Sequence, residues 1–229
     1  MTGPSIVLVG TTLPENLGAA ARAMANFGLG DLRLVCPQCE PLGERAIATA
    51  THGEPVLRAA RVFDSLDAAL ADRTRVWATS AMHREFRKPI QSPRQAAAQW
   101  DEGAAIVFGP ERSGLTYAEL TWAHALLTIP TTEQARALNL GAAVAIVAWE
   151  WAAGAAPEGT SVQPAVMGEQ RRVLGFLEER LDEAGWASEP GLRTRTFRSL
   201  RTAFLRAGLT SSELTLVRSV ITALGRKTG

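Results

Sequence analysis

The chain has 229 residues, of which 46% are hydrophobic, enough to bury the core of one α/β domain and a small appendage without disulfide bonds. Its 24 basic and 23 acidic residues give a net charge of +1, which argues neither for nor against a nucleic-acid partner. Residues 1–150 carry 13 basic and 15 acidic side chains, and residues 151–229 carry 11 and 8, so the C-terminal part is the basic one.

The amino terminus and the most apolar segment indicate neither secretion nor a membrane. Residues 1–5 lead into a strand without a basic region followed by an apolar one, so we expect no secretion signal and a cytoplasmic protein. The apolar stretch 138–156 contains Glu150 and is shorter than the roughly 20 apolar residues that a membrane span requires. We expect it to be a buried helix.

Strand-like and helical patterns alternate along the first 150 residues. Short apolar runs predict strands buried on both faces of a sheet at Ile6–Val9, Leu32–Val35, Val76–Thr79, Ala105–Phe108 and Leu126–Ile129. Helical patterns lie between them at Ala19–Phe27, Glu44–Thr51, 66–71, 95–100 and Tyr117–His124. This alternation predicts an α/β fold with a mostly parallel sheet. A helix over Asn139–Trp151, apolar on all sides, is expected against the sheet or in a subunit interface.

The composition predicts two domains, 1–153 and 167–229, joined by a linker at 154–166 that is rich in Gly, Pro and small residues. Three helices are expected in a small all-α C-terminal domain, near 169–184, near 193–207, and after the capping box Thr210–Glu213. The second helix carries Arg193, Arg195, Arg198, Arg201 and Arg206 with no acidic residue between them. These arginines indicate either contacts with RNA phosphates or the solvated face of an ordinary bundle.

Cys36 and Cys39 are the only cysteines, and they stand in a Cys-Pro-Gln-Cys turn. A structural zinc ion requires four ligands, and the sequence has neither a second cysteine pair nor a histidine pair. We therefore expect two ordinary thiols and no metal.

Three separated motifs place a Gly or a polar residue where an apolar run gives way to a turn or helix, which is where open α/β sheets bind ligands. In the first, Asn16 could cap a helix and Arg22 could be solvated, or Arg22 could hold a phosphate or a ribose oxygen. In the second, Gly109 lets a flat ligand approach the backbone. Glu111 is either a helix or surface charge or an acceptor that orients an arginine or substrate.

In the third motif, Asn139 follows a predicted strand and a loop, and taken alone it is more simply explained as a helix cap than as a site residue. The segment Thr79–Lys88 places small polar residues at a strand end before a basic loop, which could simply be solvated.

In order, these segments resemble the motif set of the SPOUT class of RNA methyltransferases, and more closely that of its TrmJ branch. The resemblance covers nearly the whole chain. It is carried by Asn16–Met24, by Thr79–Ala81, by Val107–Leu115, by Leu138–Leu140, and by Ala184–Trp186 with Leu209–Arg218 in the tail.

The resemblance implies a C-terminal trefoil knot in the sheet, a homodimer, and a tRNA substrate methylated on the ribose of cytidine or uridine 32. It also implies functional residues, which we state by their role. The catalytic set would be Arg22, Asn16, Glu111 and Asn139. S-adenosylmethionine would be bound at Thr79, Ser80, Ala81, Gly109, Ile129, Arg136, Ala137 and Leu138. The tRNA would be contacted by Arg84, Arg87, Lys88, Arg193, Arg195, Arg198 and Arg201.

Two residues, Arg22 and Ala137, bear on the mechanism that the resemblance implies. A guanidinium is effectively always charged, so we expect Arg22, reaching in from the other subunit, to fix the ribose and stabilise a developing alkoxide rather than act as a base. The family usually carries Ser where this chain has Ala137. Loss of one hydrogen bond to a charged group costs about 1.5 to 3 kcal/mol, which slows an enzyme roughly 10- to 150-fold without abolishing catalysis.

Two alternative functions stay open at this point. The chain could methylate ribosomal RNA or another tRNA ribose, because phosphate contacts position RNA without specifying a sequence. It could also be a tRNA-binding protein that has lost methyl transfer. A dinucleotide-dependent dehydrogenase is excluded, because the Gly-x-Gly-x-x-Gly motif is missing after the first strand.

Overall fold

A computed structural model describes residues 3–80, 88–132, 138–154, 163–186 and 189–225. Within these ranges the centre of the molecule is a seven-stranded sheet in the order β3-β2-β1-β6-β4-β7-β5, in which every pair of neighbours is parallel. The strands are β1 Ser5–Val9, β2 Leu32–Val35, β3 Arg61–Phe63, β4 Arg75–Thr79, β5 Ile90–Gln91, β6 Ala104–Phe108 and β7 Ala125–Leu127. The predicted α/β class with a parallel sheet is confirmed.

The sequence patterns did not predict the two edge strands. Strand β3 has only three residues, of which two are exposed, and β5 has two residues. Neither is long enough to show the apolar run of a strand buried on both faces. At β7 the strand ends at Leu127, before the predicted end at Ile129. The knot concerns the chain between β4 and the helix that follows β7, where residues 81–87 and 133–137 lie outside the described ranges, so the knot stays a prediction.

The helices of the first 154 residues connect these strands. They are α1 Pro14–Asn26, α2 Glu44–Ala50, a 3-10 turn at Thr51–Gly53, α3 Glu54–Arg58, α4 Leu66–Leu70, α5 Pro93–Ala97, α6 Tyr117–Leu120 and α7 Leu140–Ala153. The bounds differ from the predicted ones at α1, which begins five residues earlier, and at α5 and α6, which end three and four residues earlier, and the segment 52–58 was not predicted to be helical. The C-terminal part contains α8 Met167–Glu183, α9 Pro190–Ala207 and α10 Ser211–Gly225. The helical character predicted for the tail is thus confirmed.

The sheet buries a separate apolar core on each face, because side chains alternate along each strand. Ile6 and Leu8 of β1 belong to one core, which α1, α5 and α7 complete. Val7 and Val9 belong to the other core, which includes residues of α4 and α6. A parallel sheet covered on both faces explains why its central strands are apolar throughout.

The C-terminal helices contribute to the second of these cores. Met167 of α8 is fully buried there and Leu205 of α9 is almost so. The backbone nitrogen of Met167 donates to the carbonyl oxygen of Arg73 at 2.7 Å, and that of Gly168 donates to Ala71 at 3.0 Å. The division into domains 1–153 and 167–229 stays a prediction. The described part of the tail is nevertheless packed onto the sheet.

The packing of α1 against α2 requires a glycine at position 18. A Cβ atom built there would lie 2.3 Å from the carbonyl oxygen of Ala46 and 2.8 Å from the nitrogen of Ala50, both backbone atoms that cannot move aside. Gly175, in the interior of α8, has open space at the corresponding position. Packing therefore excludes a side chain at Gly18 and leaves room for one at Gly175.

We predict that Gly18→Ala lowers the free energy of unfolding by about 1 to 3 kcal/mol, because the added methyl group overpacks the α1–α2 contact. The matched change Gly175→Ala should raise it by about 0.5 to 1 kcal/mol, because alanine loses less backbone entropy in a helix. Urea unfolding of both variants measures the two effects. Equal effects of the two substitutions would contradict the prediction.

Candidate functional site

Three segments that are remote in sequence meet at the carboxyl-terminal edge of the sheet. Strands β1 and β6 are parallel neighbours, with Leu8 opposite Phe108, so the turns that follow them lie side by side. The turn after β1 leads into α1, whose first turn carries Asn16, and the turn after β6 carries Glu111. Asn139 precedes α7, which packs against α1.

A chain of hydrogen bonds joins these three side chains. The Nδ2 atom of Asn16 donates to Oε1 of Glu111 at 2.6 Å. The Nδ2 atom of Asn139 donates to Oδ1 of Asn16 at 2.9 Å, and Oδ1 of Asn139 accepts from the backbone nitrogen of Ala142 at 3.3 Å. Because the carboxylate can only accept and the backbone nitrogen can only donate, the orientation of both amides is determined. Each amide keeps a second N–H for another acceptor.

Glu111 is held at both carboxylate oxygens. Its Oε2 atom accepts from the Thr12 hydroxyl at 3.2 Å and, more weakly, from the Thr12 backbone nitrogen at 3.4 Å. Burial alone would raise the pKa of Glu111, but the hydrogen bonds from Asn16 and Thr12 outweigh it and hold the pKa below its ordinary value. Glu111 is therefore a charged acceptor at neutral pH. The sequence analysis missed Thr12, because a threonine in a turn carries no pattern of its own.

The structure decides between the alternatives for these motifs. The interpretation of Asn16 as a helix cap is wrong, because α1 begins at Pro14 with Leu13 as its N-cap, and Asn16 is buried inside the first turn. Asn139 does cap α7, and it also bonds Asn16, so its two roles coexist. Glu111 acts as an acceptor, and its described partners are Thr12 and Asn16.

The glycine at 109 is required by the turn itself. A Cβ atom at this position would lie 2.3 Å from the backbone nitrogen of Leu115 and 2.4 Å from the carbonyl carbon of Gly114. The segment that follows Glu111 therefore folds back onto Gly109, and this contact sets the position of the turn that carries Glu111. The predicted use of Gly109 for a flat ligand stays a prediction.

Arg22 is exposed on α1. It lies six residues beyond Asn16, which on an α-helix means about 9 Å along the axis and roughly 120° around it. Gly53 packs against the backbone of Arg22, since a Cβ there would lie 2.5 Å from its Cα atom. Arg22 therefore stands at a defined place on a different face of α1 from Asn16.

The residues predicted to bind a cofactor follow neighbouring strands. Thr79 is the last residue of β4, Ser80 follows it, and Ile129 lies just after β7; the two strands pair with Thr79 opposite Leu127. The Ser80 backbone nitrogen donates to the Leu127 carbonyl at 3.1 Å. Gly109 directly follows the adjacent strand β6, and Leu138 is 39% exposed. The predicted residues Ala81, Arg136 and Ala137 lie outside the described residues.

The structure contradicts the predicted RNA contact of Lys88. Its side chain is buried, with 6% of the residue exposed, and its Nζ atom donates to the carbonyl oxygens of Thr121, at 2.7 Å, and of Ala123. Burial lowers the pKa of Lys88 to about 7. A basic residue in a polar segment is usually solvated, and only the tertiary fold shows that this one is internal. The predicted contacts Arg84 and Arg87 lie outside the described residues.

The arginines of α9 differ from one another in their surroundings. Arg193 pairs with Asp182, and Arg201 donates to both carboxylate oxygens of Glu178 at 2.8 Å each. The Arg198 guanidinium lies 5.0 Å from the ring centre of Tyr117. Arg195 and Arg206 are exposed. The absence of acidic residues within α9 therefore does not predict whether its arginines are paired, because α8 supplies the carboxylates.

The cysteines give no sign of a metal site. Both are free thiols, and their sulfur atoms donate to backbone carbonyls, Cys36 to Asp64 at 3.1 Å and Cys39 to Thr11 at 3.5 Å. Over the described ranges, no three His, Cys, Asp or Glu side chains are grouped so that they could hold a metal ion. No helix within those ranges is long and apolar enough to cross a membrane.

Comparison with known proteins identifies the family. A family model described as the SpoU rRNA Methylase family matches residues 3–149. The chain belongs to the SpoU methylase family. This match confirms the methyltransferase resemblance inferred from the motifs, since it spans all three of them.

Two similar proteins match the tail as well. A Salmonella choleraesuis (strain SC-B67) protein named tRNA (cytidine/uridine-2'-O-)-methyltransferase TrmJ is 35% identical over 234 residues, covering 96% of this chain and 95% of that protein. The crystal structure of TrmJ from Z. mobilis ZM4 is 38% identical, with a TM-score of 0.88, covering 96% of this chain and 98% of that chain. A structure described as explaining the 2-OH methylation of C/U34 on tRNA is 30% identical, with a TM-score of 0.54, covering 64% of this chain and 92% of that one.

We predict a pH-dependent contribution of Lys88 to stability. Its pKa is about 7 in the folded chain and about 10.5 when unfolded, so the unfolded chain binds more protons between these values. The free energy of unfolding should therefore rise with pH over this window, by up to about 1.4 kcal/mol per pH unit, relative to Lys88→Met. Parallel urea unfolding at pH 6, 8 and 10 measures the difference. A difference that does not change with pH would contradict the internal position of the ammonium group.

Proposed function

We propose that this chain is an S-adenosylmethionine-dependent methyltransferase that acts on a ribose 2'-hydroxyl of tRNA. The observation that carries the proposal is the Glu111–Asn16–Asn139 hydrogen-bond chain at the carboxyl-terminal edge of the sheet, in a chain 35% identical over nearly its whole length to a protein named for this reaction. A tRNA substrate would also agree with the cytoplasmic location expected from the sequence.

The residues at the ends of β4, β6 and β7 fit the proposed cofactor. S-adenosylmethionine has both polar and apolar parts, and this edge offers the backbone at Gly109 and the partly exposed side chains of Ile129 and Leu138. When bound, the cofactor supplies an electrophilic methyl group for transfer to an oxygen atom. The protein residues would hold the cofactor in one orientation. The closeness of its methyl group to the ribose oxygen would provide much of the rate enhancement.

The amide–carboxylate chain would orient the target ribose. The second N–H of Asn16 and that of Asn139 are donors whose direction is set by the hydrogen bonds already made. Donors held in advance stabilise negative charge on an oxygen without the cost of reorganisation. Glu111, ionised because its pKa is lowered, would keep Asn16 in the donating orientation. The proton of the 2'-hydroxyl would leave to solvent or to a phosphate.

Arg22 would complete the site from a second copy of the chain. Its exposed position on a different face of α1 from Asn16 supports this division, because that face is open to contact with a second chain. Its planar fork suits simultaneous contact with a ribose oxygen and a phosphate.

A homodimer is supported by the apolar surface around α7. This helix is apolar except for Glu150, and its exposed side chains include Trp149, which is 47% exposed. Leu13, just before α1, is 52% exposed, and Leu138 is exposed as well. Leu13 and Leu138 adjoin the segments that carry the hydrogen-bond chain, and Trp149 lies about 15 Å further along α7 from Asn139. A second copy that covers this surface would bring its own α1 close to the site.

For the nucleotide, we propose ribose 32 of the anticodon loop, the position that the resemblance of the motifs implies, in a chain similar to a protein named as a tRNA cytidine/uridine 2'-O-methyltransferase. The second candidate is position 34, because the 30% identical structure is described in terms of C/U34. Both positions lie in the same loop, so the geometry described here is compatible with either. The exposed Arg195 and Arg206 would contribute phosphate contacts.

The proposed function predicts that the purified protein transfers labelled methyl groups from S-adenosylmethionine to unmodified tRNA. Arg22→Ala should slow transfer about 100- to 1,000-fold, the cost of removing one preorganised charge-stabilising donor. Arg22→Lys should recover only part of the rate, because an ammonium lacks the bidentate fork. Mass spectrometry of the product locates the methyl group at position 32 or 34.

Arg58→Ala is the matched control, because Arg58 is exposed and pairs only locally, with Glu54 at 2.7 Å. It should transfer methyl groups at the wild-type rate. Full activity of Arg22→Lys would contradict the bidentate role. No transfer to any tRNA by the folded wild-type protein would refute the proposed substrate and favour ribosomal RNA or a binding role without catalysis.

The homodimer predicts that Trp149→Glu yields a monomer by light scattering and loses methyl transfer, because a charge would be buried in the interface. Leu216→Glu is the control, since Leu216 is also exposed, at 64%, but lies on α10. It should stay dimeric and active. A Trp149→Glu variant that remains dimeric would place the subunit interface elsewhere.

A further inference from the structure

Trp122, which follows α6, lies where α8 and α9 meet the sheet domain. The Cζ atom of Arg171, on α8, is 4.3 Å from the centre of the Trp122 ring, and that of Arg201, on α9, is 5.1 Å from it. A guanidinium within about 6 Å of an aromatic centroid is attracted by the quadrupole of the ring. One aromatic side chain therefore binds a cation from each of the two helices.

Carboxylates hold both cations at the ring. Arg171 pairs with Asp67 at 2.5 Å, and Arg201 makes two hydrogen bonds to Glu178. Burial lowers the pKa of Arg171, and the charge of Arg201 also acts to lower it, while Asp67 opposes both. The two like charges would repel each other, so the ring and the carboxylates together set where they sit.

Helix α6 connects these contacts to the candidate site. Tyr117, at the start of α6, lies under the guanidinium of Arg198 from α9. Thr116 caps the helix, and the turn that carries Glu111 comes directly before it. The aromatic residues that receive α9 and the turn that presents the carboxylate thus belong to one short, continuous segment.

We propose that Trp122 is a positioning residue: it holds the arginine-bearing helix α9 in one orientation relative to the Glu111 turn, so that a tRNA bound to α9 presents its ribose to the site. This inference rests on the proposed function. Arg198 and Arg201, predicted from the sequence to contact RNA, serve instead to dock α9. The exposed Arg195 and Arg206 are left for the phosphates.

The test compares Trp122→Leu with wild type on full-length tRNA and on the isolated anticodon stem-loop of the same tRNA. Losing the attraction of the ring should lower kcat/KM for the full-length tRNA about tenfold. If α9 contacts the tRNA beyond the anticodon stem-loop, the isolated stem-loop cannot make those contacts, and its kcat/KM should change less than about twofold. Trp122→Phe keeps an aromatic face and should restore most of the activity on full-length tRNA.

Phe63→Leu is the matched control. Phe63 also packs against the second core and also receives two guanidinium groups, from Arg33 at 5.9 Å and Arg61 at 5.7 Å, but it lies on the edge strand β3. It should leave the ratio of the two substrates unchanged. Hydrogen exchange of the α9 amides supplies a readout that does not depend on activity, and we expect it to accelerate in Trp122→Leu and not in Phe63→Leu.

The outcomes separate the inference from the function on which it rests. Equal losses on both RNAs, or unchanged exchange of α9 in Trp122→Leu, would overturn the positioning role. If the wild-type protein methylates neither RNA, the proposed function is wrong, and the exchange of α9 still decides whether Trp122 holds that helix in place.

Discussion

The hydrogen-bond chain from Ala142 through Asn139 and Asn16 to Glu111 is the constraint on which the candidate site depends. It links the start of α7, the first turn of α1 and the turn after β6, and its direction is set because one end can only donate and the other can only accept. A change at any member would leave a partly buried polar group without its partner, which costs more than the bond itself contributes. The site is therefore built as a unit from three separate segments.

Close backbone packing is what makes such a chain of short side chains possible. Gly18 lets α2 approach α1, and Gly141 lets α7 approach α1 near Ala19, where a Cβ atom would lie 2.5 Å from the alanine methyl group. Gly109 does the same for the turn that carries Glu111. Of these contacts, the one at Gly141 brings the start of α7 close to α1, where Asn139 bonds Asn16.

The basic residues show why charge in a sequence is an incomplete guide to RNA contact. Lys88 is internal and bonded to carbonyl oxygens, whereas Arg193 and Arg201 are paired with acidic residues of a different helix. Arg195 and Arg206 resemble them in sequence but are exposed. Whether an arginine is paired depends on the residues that the fold places next to it, and the spacing of the arginines within α9 does not predict this. The tail consequently serves both to complete the second core and to offer a smaller set of free charges.

The sequence by itself determined the parallel α/β class, the helical tail, the three motifs and, through resemblance, the methyltransferase family. Apolar runs and helical periodicity reflect which residues are buried, and both can be recognised within a short stretch of sequence. The motifs can be recognised in the same way, because each of them is continuous in the chain. Only the tertiary structure decided that Asn16 bonds Glu111 instead of capping α1, that Thr12 supports the carboxylate, and that Trp122 receives two arginines. These contacts join residues that are far apart in the chain. Tertiary packing determines which residues meet, and no pattern in the nearby sequence predicts it.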